Sequence, residues 1–158
     1  MGSATRDMTK PGFEIRRLGP DDAAVVVRAA ALFDHPPRRA ETRRFLAADD
    51  HHLFMAFVDG EPVGFVSGYE LVHPDKAVEM FLYELGVAEQ ARGRGIGRAL
   101  VEALAARARE RKCRGMWVLT DHDNEAAKAT YHGAGATIDE PTLLLEWRFQ
   151  PGTARTRA

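Results

Sequence analysis

The chain has 158 residues, 45% of them hydrophobic and 28% charged, a composition of ordinary globular domains that excludes collagen-like, disulfide-scaffold and membrane-spanning classes. Lys and Arg total 22 against 23 Asp and Glu, so the formal net charge of -1 gives no general field for wrapping nucleic acid, and any polyanion site is local. The lone Cys113 has no CxxC partner, which fits a packed or idle thiol in a reducing, cytoplasmic setting.

The N-terminal stretch lacks the apolar core of an export signal, and residues 1–12 and 150–158 read as flexible polar tails around a single domain of 13–149. Phe13 to Arg16 alternates as a short strand, and Gly19-Pro20-Asp21-Asp22 opens a helix over about 20–33 that Pro36-Pro37 ends. A second helix covers Arg38 to Ala47. Two β-rich runs, Leu53 to Val58 and Val63 to Leu71, flank Asp59-Gly60 and predict an antiparallel hairpin; Val78 to Val87 continues the sheet. Ile96, Leu100, Val101, Leu104 and Ala108 form the apolar stripe of a helix over 96–111. Met116 to Thr120 is a short strand, Asp123 or Asn124 caps a helix running to about His132, and Thr142 to Phe149 is a last strand. A strand meander followed by helix-linked strands predicts an α/β fold, a mixed sheet with helices on its faces.

The segment from Glu84 to Leu100 joins a strand, a glycine-rich turn and the best helix. Unpaired amides and the positive dipole end of that helix make an anion cradle, Gly93, Gly95 and Gly97 let a pyrophosphate approach the backbone, and Arg92, Arg94 and Arg98 add charge. The P-loop pattern is absent, and the dinucleotide fingerprint GxGxxG is not matched.

Arg92-Gly93-Arg94-Gly95-Ile96-Gly97 does match the acetyl-CoA signature of the GNAT N-acetyltransferases, and Asn124-Glu125-Ala126-Ala127-Lys128-Ala129-Thr130-Tyr131 resembles that family's N-x-x-A-x-x-x-Y helix. The resemblance covers essentially 13–149 and implies the GNAT fold, a mixed sheet of six to seven strands flanked by about four helices. Within the family, the run Glu79 to Val87, with Tyr83-Glu84-Leu85-Gly86-Val87 at its end, is similar to the aminoglycoside 3-N-acetyltransferases of the gentamicin-resistance type. One departure is Tyr131-His132-Gly133-Ala134-Gly135-Ala136, where the family usually continues with Lys-Leu-Gly-Phe.

The resemblance implies that acetyl-CoA is the acetyl donor, held by Leu85, Gly86, Val87, Arg92, Gly93, Arg94, Gly95, Ile96, Gly97 and Arg98 together with Asn124, Ala127 and Tyr131, and that a backbone N–H near Leu85 or Val87 holds the thioester oxygen. Tyr131 is then the proton donor to the leaving thiolate, or else a core aromatic; Asn124 contacts the cofactor arm, or else only caps its helix. Strict alternation puts Glu84 on one face with Met80, Leu82 and Gly86, where it is either the base that takes the amine's proton or a structural ion-pair member. Asp34, Glu79 and Asp121, with Glu84, are the acids expected to line a polycationic acceptor's pocket. The six histidines carry no zinc spacing, so no metal is expected.

No cysteine lies in either motif, which favours direct attack in a ternary complex over an acetyl-cysteine route. The expected acceptor is the 3-amino group of an aminoglycoside. A peptide N-terminus, lysine or polyamine acceptor, and a non-catalytic acetyl-CoA sensor, are the alternatives; nucleic acid and membrane are not expected partners. Leu143 to Leu145 with Trp147 fits either a homodimer face or core.

Overall fold

The computed structural model of the chain describes residues 8–10, 12–139, 144–147 and 149. Its strands are β1 (Met8–Lys10), β2 (Phe13–Arg17), β3 (His51–Val58), β4 (Glu61–Leu71), β5 (Glu79–Val87) and β6 (Met116–Val118), and its helices α1 (Ala23–Arg28), α2 (Arg39–Ala47), α3 (Ile96–Glu110) and α4 (Glu125–Gly133). The strands form one sheet in chain order, antiparallel from β1 to β5 and parallel between β5 and β6. This is the mixed α/β architecture expected from the sequence.

The period-two alternation of the central strands splits the core into two layers. Phe54, Ala56, Val66, Met80 and Leu82 meet the buried stripe of α3, whose Ile96, Leu100, Val101, Leu104 and Ala108 are the residues the 3.6 periodicity selected. Leu53, Met55, Phe57 and Phe65 face the other way, onto Ala23 and Val26 of α1 and Leu46 of α2. At Gly68 the α3 side chains press on the sheet: a Cβ there would stand 2.8 Å from the Leu104 side chain. The Asp59-Gly60 turn has positive φ at both residues, 49° and 81°, the requirement of a two-residue hairpin that follows the sheet twist.

Three expectations change. Residues 8–10, placed in the N-terminal tail by the sequence, pair with β2, and Lys10 Nζ reaches Glu102 Oε2 of α3 at 3.3 Å. The single helix expected over 20–33 is a short 3-10 turn, α1, and a second 3-10 turn at Ala30–Leu32. The chain leaves α-geometry at Ala29 because Phe33 stacks on Phe65 at 4.1 Å and the Leu32 carbonyl packs against β5 at Gly86. Of the expected last strand over 142–149, residues 142, 143 and 148 lie outside the described residues, and residues 144–147 are in neither helix nor strand.

The lower end of the α3 layer is polar. His52 is fully buried, its Nε2 donates to Glu70 Oε1 at 2.7 Å, and Arg111 at the end of α3 donates to both Glu70 oxygens at 2.6 and 3.2 Å. Burial holds the His52 imidazole below its ordinary value of 6.5, against the pull of Glu70. Burial alone would raise Glu70, yet hydrogen bonds from Arg111 and His52 outweigh it and hold the carboxyl below 4.5. As pH falls through 6.5 the unfolded chain binds a proton at His52 that the folded chain refuses, so stability is lost on acidification; the Glu70 contribution is lost only below 4.5. The urea midpoint is therefore expected to fall from about pH 7 to pH 5, and to fall less in His52→Gln, which removes the titrating group; parallel pH slopes in the two proteins would contradict the assignment.

Candidate active site

The site is built where β5 ends and α3 begins. Val87 closes β5, a short 3-10 turn at Glu89–Ala91 follows, and residues 92–95 lead into α3 with Gly95 as its N-cap. Gly93 and Gly95 hold φ of 73° and 79°, a left-handed backbone that glycine adopts without strain, and nothing lies within 4 Å of where a Cβ would stand at either. Above them is open space. The first-turn amides of α3, from Ile96 to Arg98, have no acceptor within the helix, and the dipole adds positive potential there. This backbone suits the phosphates of a coenzyme A thioester, which need close approach and many donors.

The arginines of the cradle are engaged elsewhere. Arg92 Nε donates to the Val87 carbonyl at 3.1 Å and so folds the turn back onto β5. Arg94 donates to the Gly12 carbonyl at 3.0 Å, and Arg98 Nε to Glu102 at 2.7 Å. The bonds of Arg92 and Arg94 brace the turn, and that of Arg98 runs along α3.

Gly97 joins three segments. A Cβ at this position would stand 3.4 Å from Thr130 of α4 and 3.7 Å from Val87 of β5, ordinary contact distances, so α4 and the end of β5 both lie against the first turn of α3. That convergence brings the second sequence motif to the first. Asn124 Oδ1 accepts from the Ala127 N–H at 3.0 Å, the N-cap role its position offered. Tyr131 packs on the α3-side core, and burial raises its phenol above the ordinary 10.0, so the ring carries its proton throughout the neutral range. The altered sequence after Tyr131 closes the helix by another route: Gly135 takes φ of 97°, its N–H donates to the His132 carbonyl at 2.9 Å, and the Ala136 N–H donates to the Tyr131 carbonyl at 3.0 Å.

The face occupied by Glu84 is corrected by a β-bulge. Gly68 pairs with Leu82 and Ser67 with Glu84, so Tyr83 is an extra residue in β5 and the alternation slips by one. Met80, Leu82, Leu85 and Val87 lie on the α3 side, whereas Phe81, Tyr83, Glu84 and Gly86 face the α1/α2 side. Strict alternation had put Glu84 with Met80 and Leu82. Glu84 instead stands beside Tyr69, whose phenol is raised by burial and then by the neighbouring Glu84 charge. The β5–β6 pairing runs from Met80 to Leu82, and among the described residues no strand pairs with Leu85 to Val87 on the β6 side.

The other sequence candidates divide. Asp34 follows Leu32 and Phe33, which pack on Gly86 of β5 and Phe65 of β4. The lack of a Gly86 side chain serves that packing, since a Cβ would also stand 2.8 Å from the Phe65 ring. Asp121 lies between β6 and α4, and its carbonyl accepts from the Asn124 N–H at 3.1 Å. Glu79 is not brought to the site. It begins β5, roughly 26 Å from Val87 at strand rise, and its carboxylate is bonded to Lys76 at 3.0 Å and His73 at 3.1 Å. Cys113 follows α3 at the end away from the cradle, and burial pushes its thiol up, the reverse of what a nucleophile needs. Among the described residues no cluster of three or more His, Cys, Asp or Glu side chains is positioned to hold a metal ion, and no helix is long and apolar enough to cross a membrane.

The sheet whose β5 runs past its β6 pairing, the glycine cradle at a helix start and the capped α4 beside it fit an acetyltransferase scaffold. Residues 23–136 match the Acetyltransferase (GNAT) family, and the chain belongs to that family. It is 32% identical over 134 residues to the mycothiol acetyltransferase of Streptomyces avermitilis, an alignment that covers 80% of this chain and 42% of that protein. The chain therefore spans less than half the length of that curated relative. In structure it is similar to an aminoglycoside acetyltransferase from an uncultured soil metagenomic sample in complex with sisomicin, with a TM-score of 0.81, 19% identity, and coverage of 89% of this chain and 98% of that one. A second soil metagenomic aminoglycoside acetyltransferase gives a TM-score of 0.74 at 26% identity, covering 90% of this chain and 100% of that one.

Proposed function

We propose that the chain transfers the acetyl group of acetyl-CoA to a primary amine of a small molecule, by direct attack in a ternary complex, and that the acceptor is the 3-amino group of an aminoglycoside. The observation that carries this reading is the junction at Gly97, where the end of β5, the glycine cradle and α4 meet. Acetyl-CoA supplies an activated acetyl thioester. The amides of residues 96–98 and the turn at Gly93 and Gly95 are suited to its pyrophosphate, and the end of β5 from Leu85 to Val87, past the β6 pairing, to its arm.

The two proton tasks fall on opposite sides of β5. Glu84, on the α1/α2 side, takes the proton of the incoming ammonium, directly or through water; Tyr131, on the α3 side, donates to the departing thiolate. A thiolate with a reference pKa of about 8.5 accepts a hydrogen bond from a protonated phenol without prior transfer. Glu84→Gln is expected to lower kcat/KM by about 100-fold, most deeply at acidic pH where the amine is held as ammonium, and an effect flat across pH would assign Glu84 a structural role.

Structural similarity to aminoglycoside acetyltransferases supports an aminoglycoside as the acceptor, the 3-amino position resting on the resemblance of Glu79 to Val87, while sequence similarity favours a second reading in which the acceptor is of the mycothiol acetyltransferase kind. Thiol release from acetyl-CoA, measured against aminoglycosides with and without a free 3-amino group, the amine acceptor of a mycothiol acetyltransferase, a polyamine and short peptides, separates them. Turnover confined to aminoglycosides bearing the 3-amino group is the expected result. Turnover confined to another amine would keep the chemistry and replace the acceptor.

A further inference from the structure

The β5 bulge that turns Glu84 also exposes a row of rings. On the α1/α2 face, Tyr69 and Tyr83 meet edge to face with centroids 5.7 Å apart, Tyr83 meets Phe81 at 5.8 Å, and Phe81 stacks on Trp117 of β6 at 4.3 Å with planes 27° apart. Phe81 is half-buried between its neighbours, while Tyr83 and Trp117 remain 39% and 40% exposed. An ordinary strand would bring Tyr83 and its successor to opposite faces. The extra residue gives this face two consecutive side chains, an aromatic ring and a carboxylate, just past the β5–β6 pairing.

We propose that Tyr83 and Trp117 are acceptor-specificity residues, and that their exposed rings hold the ring of a cyclic amine, an aminocyclitol or amino sugar, whose amine lies beside Glu84. The inference rests on the acetyltransferase reading and deepens it. The chemistry follows from the shape and charge of the wall. Aromatic faces carry negative quadrupole potential and bind cations and polarised C–H groups, and a cyclic amine offers a flat C–H face and an ammonium together. A linear polyamine needs separated carboxylates along its length, and the acid at the start of β5, Glu79, is bonded to Lys76 and His73. Apolar area left exposed on Tyr83 and Trp117 is removed from water when such a ring covers it.

Calorimetric titration with 2-deoxystreptamine, a cyclic diamine, and with 1,5-diaminopentane, a linear one, reads the wall without requiring turnover; acetyl-CoA is titrated separately into each protein. The wild-type chain is expected to bind the cyclic diamine more tightly. Tyr83→Ala and Trp117→Ala are each expected to weaken that binding about tenfold, with acetyl-CoA affinity unchanged and the linear diamine little affected. Trp117→Phe, which keeps an aromatic face, is expected to recover most of the loss. Equal affinity for the two diamines, or unchanged cyclic-diamine affinity in both Ala variants, would overturn the proposal. Failure of the acetyltransferase reading has a different signature, namely no thiol release from acetyl-CoA by the wild-type protein with any amine.

Discussion

Gly95→Asp is expected to weaken acetyl-CoA binding by about 100-fold or more, by titration, with the fold retained. Gly95 is the N-cap of α3 with φ of 79°, and open space lies where its side chain would grow. An aspartate there sends a carboxylate into the volume that suits a pyrophosphate, so like charges meet where the amides would otherwise be shared. Two local effects oppose each other in the unliganded protein. The left-handed backbone costs about 1–2 kcal/mol in a residue with a Cβ, and a carboxylate at a helix N-terminus gains from the helix dipole. The thermal midpoint is therefore expected to move little, which separates loss of binding from loss of structure. Gly95→Asn keeps the size and removes the charge, and it is expected to retain much more affinity than Gly95→Asp. Equal losses in the two would mean that sterics alone act; normal binding in Gly95→Asp would remove the cradle assignment.

Tyr131→Phe is expected to lower kcat by about 100-fold while leaving the acetyl-CoA dissociation constant within a factor of about two. Phenylalanine keeps the ring that packs on the α3-side core and removes only the hydroxyl, so the change isolates the proton donor. Burial raises this phenol above 10.0, and the wild-type rate is accordingly expected not to fall from loss of the Tyr131 proton below that pH. Stopped-flow thiol release in single turnovers reads the chemical step apart from product release. Unchanged turnover in Tyr131→Phe would return Tyr131 to the role of a core aromatic.

What the sequence conveyed depended on how local the signal was. The α3 stripe and the Asp59-Gly60 turn rest on periodicity and on turn chemistry, and both read directly from a few neighbouring residues. The cradle was legible for the same reason, since glycines, a preceding strand and a helix start are contiguous in the chain. Features set by distant partners were not. β1 is three residues long and owes its order to pairing with β2, and the helix over 20–33 breaks because Phe33 and Leu32 are claimed by β4 and β5. The bulge at Tyr83 has no mark in the sequence, because alternation presumes an unbroken period of two; it alone moves Glu84 to the opposite face. Charge was misleading in a similar way: Arg92, Arg94 and Arg98 sit in the motif, yet their side chains bond to Val87, Gly12 and Glu102. Tyr69, Tyr83 and Trp117 went unselected as site residues because aromatic side chains in strands read as core.

The most direct test is hydrogen exchange of the backbone amides with and without acetyl-CoA. The first-turn amides of α3 and the β5 residues past the β6 pairing are the donors assigned to the ligand, so slowed exchange is expected at residues 93–98 and 85–87, with a smaller effect across α4 and none in β1 to β3. Binding of acetyl-CoA with no protection at residues 93–98 would contradict the account, whatever the activity of the protein.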